Sequence, residues 1–277
     1  MDGMERAEID GVELEYDLRG AGEPVVLVHW GVCAEWARPL VVAPALAGYR
    51  RLAYHRAGFA GSSRVAGPIG MTDHAKHCRL LMRHLGIERA HVVGHSSSAV
   101  VALQLALDFP DAVQTLVLME SARPAPPTEA QAAFVRTFVE PAIARYRAGD
   151  AEGAVDTFLR GVFGPGYRPS LEQGLPGAFE RCVAEAEAFF GHELPALQQW
   201  SFTEEDASRV TQPVLAVLGE NTEPTFPERR ELLLSWLPNV EPFDLPAATH
   251  LLHVQNADGT AEALAAFFAR HPLAAAA

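Results

Sequence analysis

The stretch from Ala90 to Leu107 constrains the fold more than any other part of the chain. It opens with a short apolar run, His91 to Val93, which reads as a buried strand. A tight turn follows, Gly94-His95-Ser96-Ser97-Ser98, and then a helix rich in Ala, Leu and Val. Strand, sharp turn with a serine at the apex, helix: this is the layout of a nucleophile elbow. The strained turn lifts Ser96 clear of the backbone. The amide of Ser97 points at the same space from the helix N-terminus, where a forming anion meets oriented N–H groups and the positive end of the helix dipole. The usual pattern is Gly-x-Ser-x-Gly, and Ser98 stands where its second glycine is expected. The competing reading is a serine-rich loop that only caps a helix, so the rest of the chain has to decide.

With 277 residues, 49% of them hydrophobic, the chain can bury a sizeable core as one domain with a lid. A formal charge of −13 argues against nucleic acid or an anionic membrane surface as partner. Cys33, Cys78 and Cys182 are too few and too scattered for a disulfide framework. The N-terminus lacks a basic region followed by an apolar run, and no apolar stretch is long enough to span a bilayer. A soluble, cytoplasmic protein is the expectation, with its oligomeric state left open.

The order of elements points to one fold class. Residues 6–17 alternate and read as a hairpin turning at Asp10-Gly11. Strands are expected at 24–31, 50–54, 115–120, 213–219 and 240–245, with helices at 72–85, after the elbow, at 227–237 and through about Arg270. Strands alternating with helices imply a mostly parallel, doubly wound α/β sheet. The pattern changes after a proline-rich exit, Ala122 to Pro127: segments 129–148, 151–162 and 171–200 read as helices with no strand between them. The prediction is a core of residues 1–121 and 210–277 carrying a helical cap, 122–209, inserted between sheet strands and folded over the sheet's carboxyl edge, where open α/β sheets bind ligands. Cap aromatics such as Phe134, Phe138, Phe158, Phe163, Phe189, Phe190 and Trp200 must be shared between cap core and pocket wall, with core packing the commoner role for any one of them.

Serine is a poor nucleophile until a base takes its proton, so Ser96 needs a histidine and the histidine an orienting acid. His250 is the base candidate, in a small-residue loop after the last strand; His253 falls inside the following helix. An oxyanion needs a second amide besides Ser97, and the loop His29-Trp30-Gly31-Val32 supplies Gly31. Trp30, His95 and Cys33 are candidate pocket residues. His74, His77 and Cys78 share a helical face at a spacing compatible with a metal, but no further ligand cluster accompanies them. A solvated helix face is the expected reading, with no metal and no cofactor.

Taken together, the His29-Trp-Gly31 loop, the Arg56-Ala-Gly-Phe-Ala-Gly-Ser62 loop, the Gly94–Ser98 elbow and the Thr249-His250 loop resemble the α/β-hydrolase fold, and the resemblance runs nearly the whole length of the chain. It implies that Ser96 attacks an acyl carbon, that Gly31 and Ser97 hold the oxyanion, and that His250 is the base. Two departures stand out, Trp30 in place of a usual glycine and Ser98 in the elbow. The fold also hosts dehalogenases and epoxide hydrolases with an aspartate nucleophile, against which Ser96 argues. In this family the acid usually follows the strand that here spans 214–218, at Thr222 or Glu223; some haloalkane dehalogenases place it instead at the end of the preceding strand, here Glu120. A carboxylate ending a buried apolar strand is costly without a partner, and an imidazolium is such a partner. Glu120 is therefore the expected acid, with Glu223 the alternative. The expected activity is hydrolysis of an ester or related acyl bond in a small, fairly apolar molecule. A non-hydrolytic lyase or cyclase, or a small-molecule receptor on the same fold, is the competing class.

Overall fold

The strands are β1 (Glu5–Ile9), β2 (Val12–Arg19), β3 (Pro24–Leu27), β4 (Arg50–Tyr54), β5 (Ala90–His95), β6 (Val113–Met119), β7 (Val214–Gly219) and β8 (Val240–Leu245). In the computed structural model, which describes residues 4–65, 67, 69–122 and 128–274, they form one sheet in the order β1-β2-β4-β3-β5-β6-β7-β8. β1 and β2 make the expected hairpin, with Asp10 at φ 54° and Gly11 at φ 82°. Such a turn matches the right-handed twist of its strands. β2 also pairs antiparallel with β4, and every pairing from β4 to β8 is parallel. The inner strands β5 and β7 are buried at every residue, which is why they read as continuous apolar runs rather than alternating ones.

Helices Met71–His84 and Ser97–Asp108 pack on one face of the sheet through Leu81, Val100 and Leu103. Helix Ala257–Arg270 packs on the other through Leu264, Phe267 and Phe268. The face bearing His74, His77 and Cys78 is not solvated as expected. All three are buried, because the same stripe carries Met71, Ala75, Leu81 and Met82 into the core. Among the described residues no group of three or more His, Cys, Asp or Glu side chains is arranged to hold a metal ion. No helix among them is long and apolar enough to cross a membrane.

Between β6 and β7 the chain is helical, as predicted, in shorter pieces. The proline-rich exit falls on residues 123–127, outside the described residues. Helix Glu129–Phe134 runs through a widened turn, Val135–Val139, into Glu140–Arg147, and Ala151–Phe163 follows. The segment expected to be one helix over 171–200 is four: Tyr167–Gly174, Ala178–Ala184, Glu187–Glu193 and Leu194–Gln199. The first break comes at Leu175-Pro176-Gly177, where Pro176 lacks an N–H and Gly177 sits at φ 69°. A further short helix, Glu204–Arg209, is held by the capping box of Thr203 and Asp206.

The carboxyl ends of β3, β5, β6, β7 and β8 lie side by side along one sheet edge. Each is followed by a residue that matters below: His29 to Val32, Ser96, Glu120, Thr222 and His250, respectively.

Candidate active site

Ser96 is at φ 54°, ψ −119°, the strained apex between β5 and helix Ser97–Asp108. L-residues rarely adopt this region, and it persists only where the surroundings over-determine it. Here they do. The Ser96 amide donates to the Met119 carbonyl at 3.0 Å, and the Ser96 carbonyl accepts from Ala122 at 3.0 Å. Gly94 has to be glycine, since a Cβ there would come within 2.6 Å of the Ala99 Cα and the Ser98 carbonyl. Ser98, the departure from the usual elbow, closes the turn on itself. Its hydroxyl accepts from the His95 amide at 2.9 Å and donates to the His95 carbonyl at 3.0 Å. The Ser97 amide belongs to the first helical turn, whose N–H groups have no partner within the helix.

Glu120 follows β6 directly, at φ 43°. Its carboxylate reaches His250: His250 Nδ1 lies 2.5 Å from Glu120 Oε2. The Gly219 amide donates to Oε1 at 2.7 Å and the Thr222 hydroxyl to Oε2 at 2.8 Å. Both side chains are buried. Burial, the largest influence, pushes the Glu120 carboxyl up to about 7, and the Gly219 and Thr222 donors pull it back. Burial, and then the Arg229 guanidinium, hold the His250 imidazole well below its ordinary value. With the carboxylate ionised, Nδ1–H donates to Glu120 and the Nε2 lone pair is left to take a second proton. Glu223, the alternative acid, makes no such contact. It lines a separate pocket with Asn221, Thr249 and Gln255.

The imidazole of His250 is held face-on. Phe226 stacks at 4.1 Å and 16°, and Phe163 lies 5.7 Å away at 29°. His95 Nε2 donates to the His250 carbonyl at 2.9 Å, fixing the loop. His253 is in a helical turn, Leu252–Gln255, as expected. It is buried under Trp30, Trp36 and His95.

Ser96, Ser97, Gly31, His95 and His250 all line one cavity of about 600 Å³. Its far wall comes from the helical insertion, with Phe134, Val139, Phe158, Leu159, Phe163, Phe189 and Leu194; Trp36 and Phe226 come from the core. Polar groups are few: Gln131, Arg136, Glu140, Gln198 and Arg229. Of the insertion aromatics, Phe138 instead packs over Gly161, Phe190 on Tyr146, and Trp200 on Phe202. Trp30 and Cys33, expected in the pocket, are turned into the core. The ring of Trp30 packs on His253 at 4.1 Å, and the Cys33 thiol faces the Ala178 carbonyl at 3.9 Å. Val32 and Trp36 meet the cavity instead. Sequence reasoning passed over Phe226 and Arg229, whose helix starts two residues earlier than its hydrophobic pattern indicates.

The comparisons with known proteins agree with this architecture. The family model described as the alpha/beta hydrolase fold matches residues 24–158. A fluoroacetate dehalogenase of Burkholderia sp is 35% identical over 133 residues, covering 43% of this chain and 41% of its own. A 2-hydroxy-6-oxo-2,4-heptadienoate hydrolase of Pseudomonas putida is 37% identical over 114 residues, covering 39% and 41%. The matched stretches thus span about two-fifths of each relative. Among solved structures, the enol-lactonase from Burkholderia xenovorans LB400 superimposes with a TM-score of 0.83 at 20% identity, over 96% of this chain and 100% of that one. A mostly parallel eight-stranded sheet, a serine elbow after β5 and helices inserted after β6 give this chain the α/β-hydrolase fold.

Proposed function

We propose that the protein is a serine hydrolase that cleaves an ester or related acyl bond of a small, largely apolar molecule through an acyl-enzyme. Ser96 is the nucleophile, His250 the base and Glu120 the acid that orients it. The observation that carries the reading is the meeting, on the wall of one apolar cavity, of a serine on a strained elbow and a histidine bonded to a buried carboxylate. In the first half-reaction Ser96 Oγ attacks the acyl carbon while His250 Nε2 takes its proton. Glu120 stabilises the imidazolium, and the tetrahedral oxyanion faces the Ser97 amide and the Gly31 loop. His250 then protonates the departing alkoxide, and water repeats the sequence on the acyl-enzyme. Side chains and water supply every proton in this cycle, so it calls for no cofactor.

The cavity bears on the substrate. Its wall is dominated by aromatic and branched aliphatic side chains, and its volume of about 600 Å³ suits a small molecule rather than a polymer. We read residues 122–209 as the cap that supplies this wall and excludes water from the acyl-enzyme. The buried free thiols Cys33, Cys78 and Cys182 fit a reducing, cytoplasmic setting. The deciding experiment is labelling with a fluorophosphonate, followed by peptide mapping. Modification at Ser96, abolished in Ser96→Ala, is expected. A protein that binds small apolar ligands yet resists the probe would instead be a receptor or a non-hydrolytic enzyme.

A further inference from the structure

The helical insertion sends two carboxylates down into the loops behind the elbow. Glu185 accepts from the Ala34 amide at 2.8 Å and the Ala60 amide at 2.9 Å, so it bridges the loops that follow β3 and β4. Glu193 does more. Its Oε2 accepts from Arg56 at 2.8 Å, and side-chain exposures of 0% for Arg56 and 1% for Glu193 mean the pair is entirely out of water. Arg56 in turn donates through Nε to the His29 carbonyl at 3.0 Å, and its backbone amide faces His29 Nδ1 at 3.3 Å.

The second oxygen of Glu193 is the unusual one. Oε1 is buried without a hydrogen-bond partner among the described residues, as is the Ser97 hydroxyl. The two flank Gly31: a Cβ there would come within 2.4 Å of Glu193 Oε1 and 2.6 Å of Ser97 Oγ. The bare Cα of Gly31 is thus the seat for the carboxylate. On its other side the Gly31 carbonyl accepts from Trp36 Nε1 at 2.7 Å. Because the peptide is planar, this also fixes the Val32 N–H. The loop is pinned at the His29 carbonyl, at Gly31 Cα and at the Gly31 carbonyl.

Burying two charges costs more than apolar docking of the same helices would, so adhesion alone is a poor account of this pair. We propose that the Glu193–Arg56 pair holds the His29–Val32 loop against Ser97, making Glu193 a positioning residue for the oxyanion site, supplied by the helical insertion. The proposal rests on the serine-hydrolase reading. It has an electrostatic corollary: Arg56 neutralises a carboxylate that would otherwise oppose a negative charge forming beside Gly31.

The test compares the parent, Glu193→Gln and the double variant Arg56→Met/Glu193→Leu, which replaces the pair by apolar side chains. The probes are a short-chain p-nitrophenyl ester, a trifluoromethyl ketone that forms a tetrahedral oxyanion adduct, and the corresponding alcohol, which cannot. Both variants are expected to lose about tenfold to a hundredfold in kcat, part of the effect of deleting one oxyanion donor, with KM within about threefold. Affinity for the ketone should fall in step with kcat, and affinity for the alcohol should not change. Should Glu193→Gln fail to fold, the double variant decides alone. Parental kcat in the double variant, or equal losses in KM and in both inhibitors, would overturn the proposal and leave the pair as a docking contact. A parent that neither turns over the ester nor is trapped by the ketone would overturn the serine-hydrolase reading itself, and the positioning role with it.

Discussion

Thr222 donates its hydroxyl to Glu120 at 2.8 Å, on the same carboxylate oxygen that meets His250 Nδ1 at 2.5 Å. The loop after β7, one of the two places from which an acid was expected, therefore contributes a donor instead, and the carboxylate comes from the end of β6. With the Gly219 amide on the other oxygen, Glu120 has a partner in three directions, as a buried carboxylate requires.

This division of labour predicts unequal effects for two glutamates. Glu120→Gln is expected to cost on the order of ten-thousandfold in turnover, because the tautomer and the imidazolium both lose their stabiliser. Glu223→Gln should stay within about twofold. Steady-state kinetics on one ester checks both, and a crippled Glu223→Gln with a near-normal Glu120→Gln would reverse the assignment.

Turnover by a Glu120–His250 pair should depend on pH in one direction. Burial raises the carboxyl to about 7 and holds the imidazole low, so the pair gains a proton as pH falls and loses its acceptor function. We expect kcat/KM to rise with pH, reach half its plateau near pH 7, and stay flat over the next two units. The midpoint belongs to the pair rather than to either residue. A limb centred below pH 5 would contradict the raised carboxyl.

The same shift has a stability consequence of definite sign. A carboxyl whose value is raised from 4.5 to about 7 on folding helps the fold below pH 4.5 and ceases to help as pH rises through 7. Above that, ionised Glu120 costs the native state about 3 kcal/mol at most. Glu120→Gln removes this ionisation. Relative to the parent it should gain about 1–3 kcal/mol in urea unfolding between pH 4.5 and pH 8. A difference that does not change with pH would show that ionising Glu120 costs the fold nothing.

The elbow makes a prediction about packing rather than charge. In Gly94→Ala the new methyl meets only backbone, the Ala99 Cα and the Ser98 carbonyl, so nothing nearby gives way by rotating. A loss of about 3 kcal/mol or failure to fold is expected. Ser98→Gly removes two hydrogen bonds to His95 and should cost about 1–3 kcal/mol. Thermal unfolding of the two variants should rank them in that order.

Much of this protein was legible before any tertiary structure, for a local reason. Strand and helix periodicity, the Asp10-Gly11 turn, the elbow at Ser96 and the succession of β and α elements are short-range properties, and they imply a parallel sheet whose carboxyl ends share one edge. Ser96, Glu120 and His250 each follow a strand, so their common edge came with the topology. Partners across the sheet are a different matter. The cost of a buried charge favours Glu120 over Glu223 in the sequence, but that its carboxylate reaches His250 across β7 is a contact that periodicity does not encode. The same holds for Trp30 and Cys33, turned into the core where a pocket was expected, and for His74, His77 and Cys78, buried where solvent was expected. Arg56 and Glu193, 137 residues apart, carry no signal of each other in the sequence. Only the packing of the insertion onto the loops after β3 and β4 brings that pair of charges together.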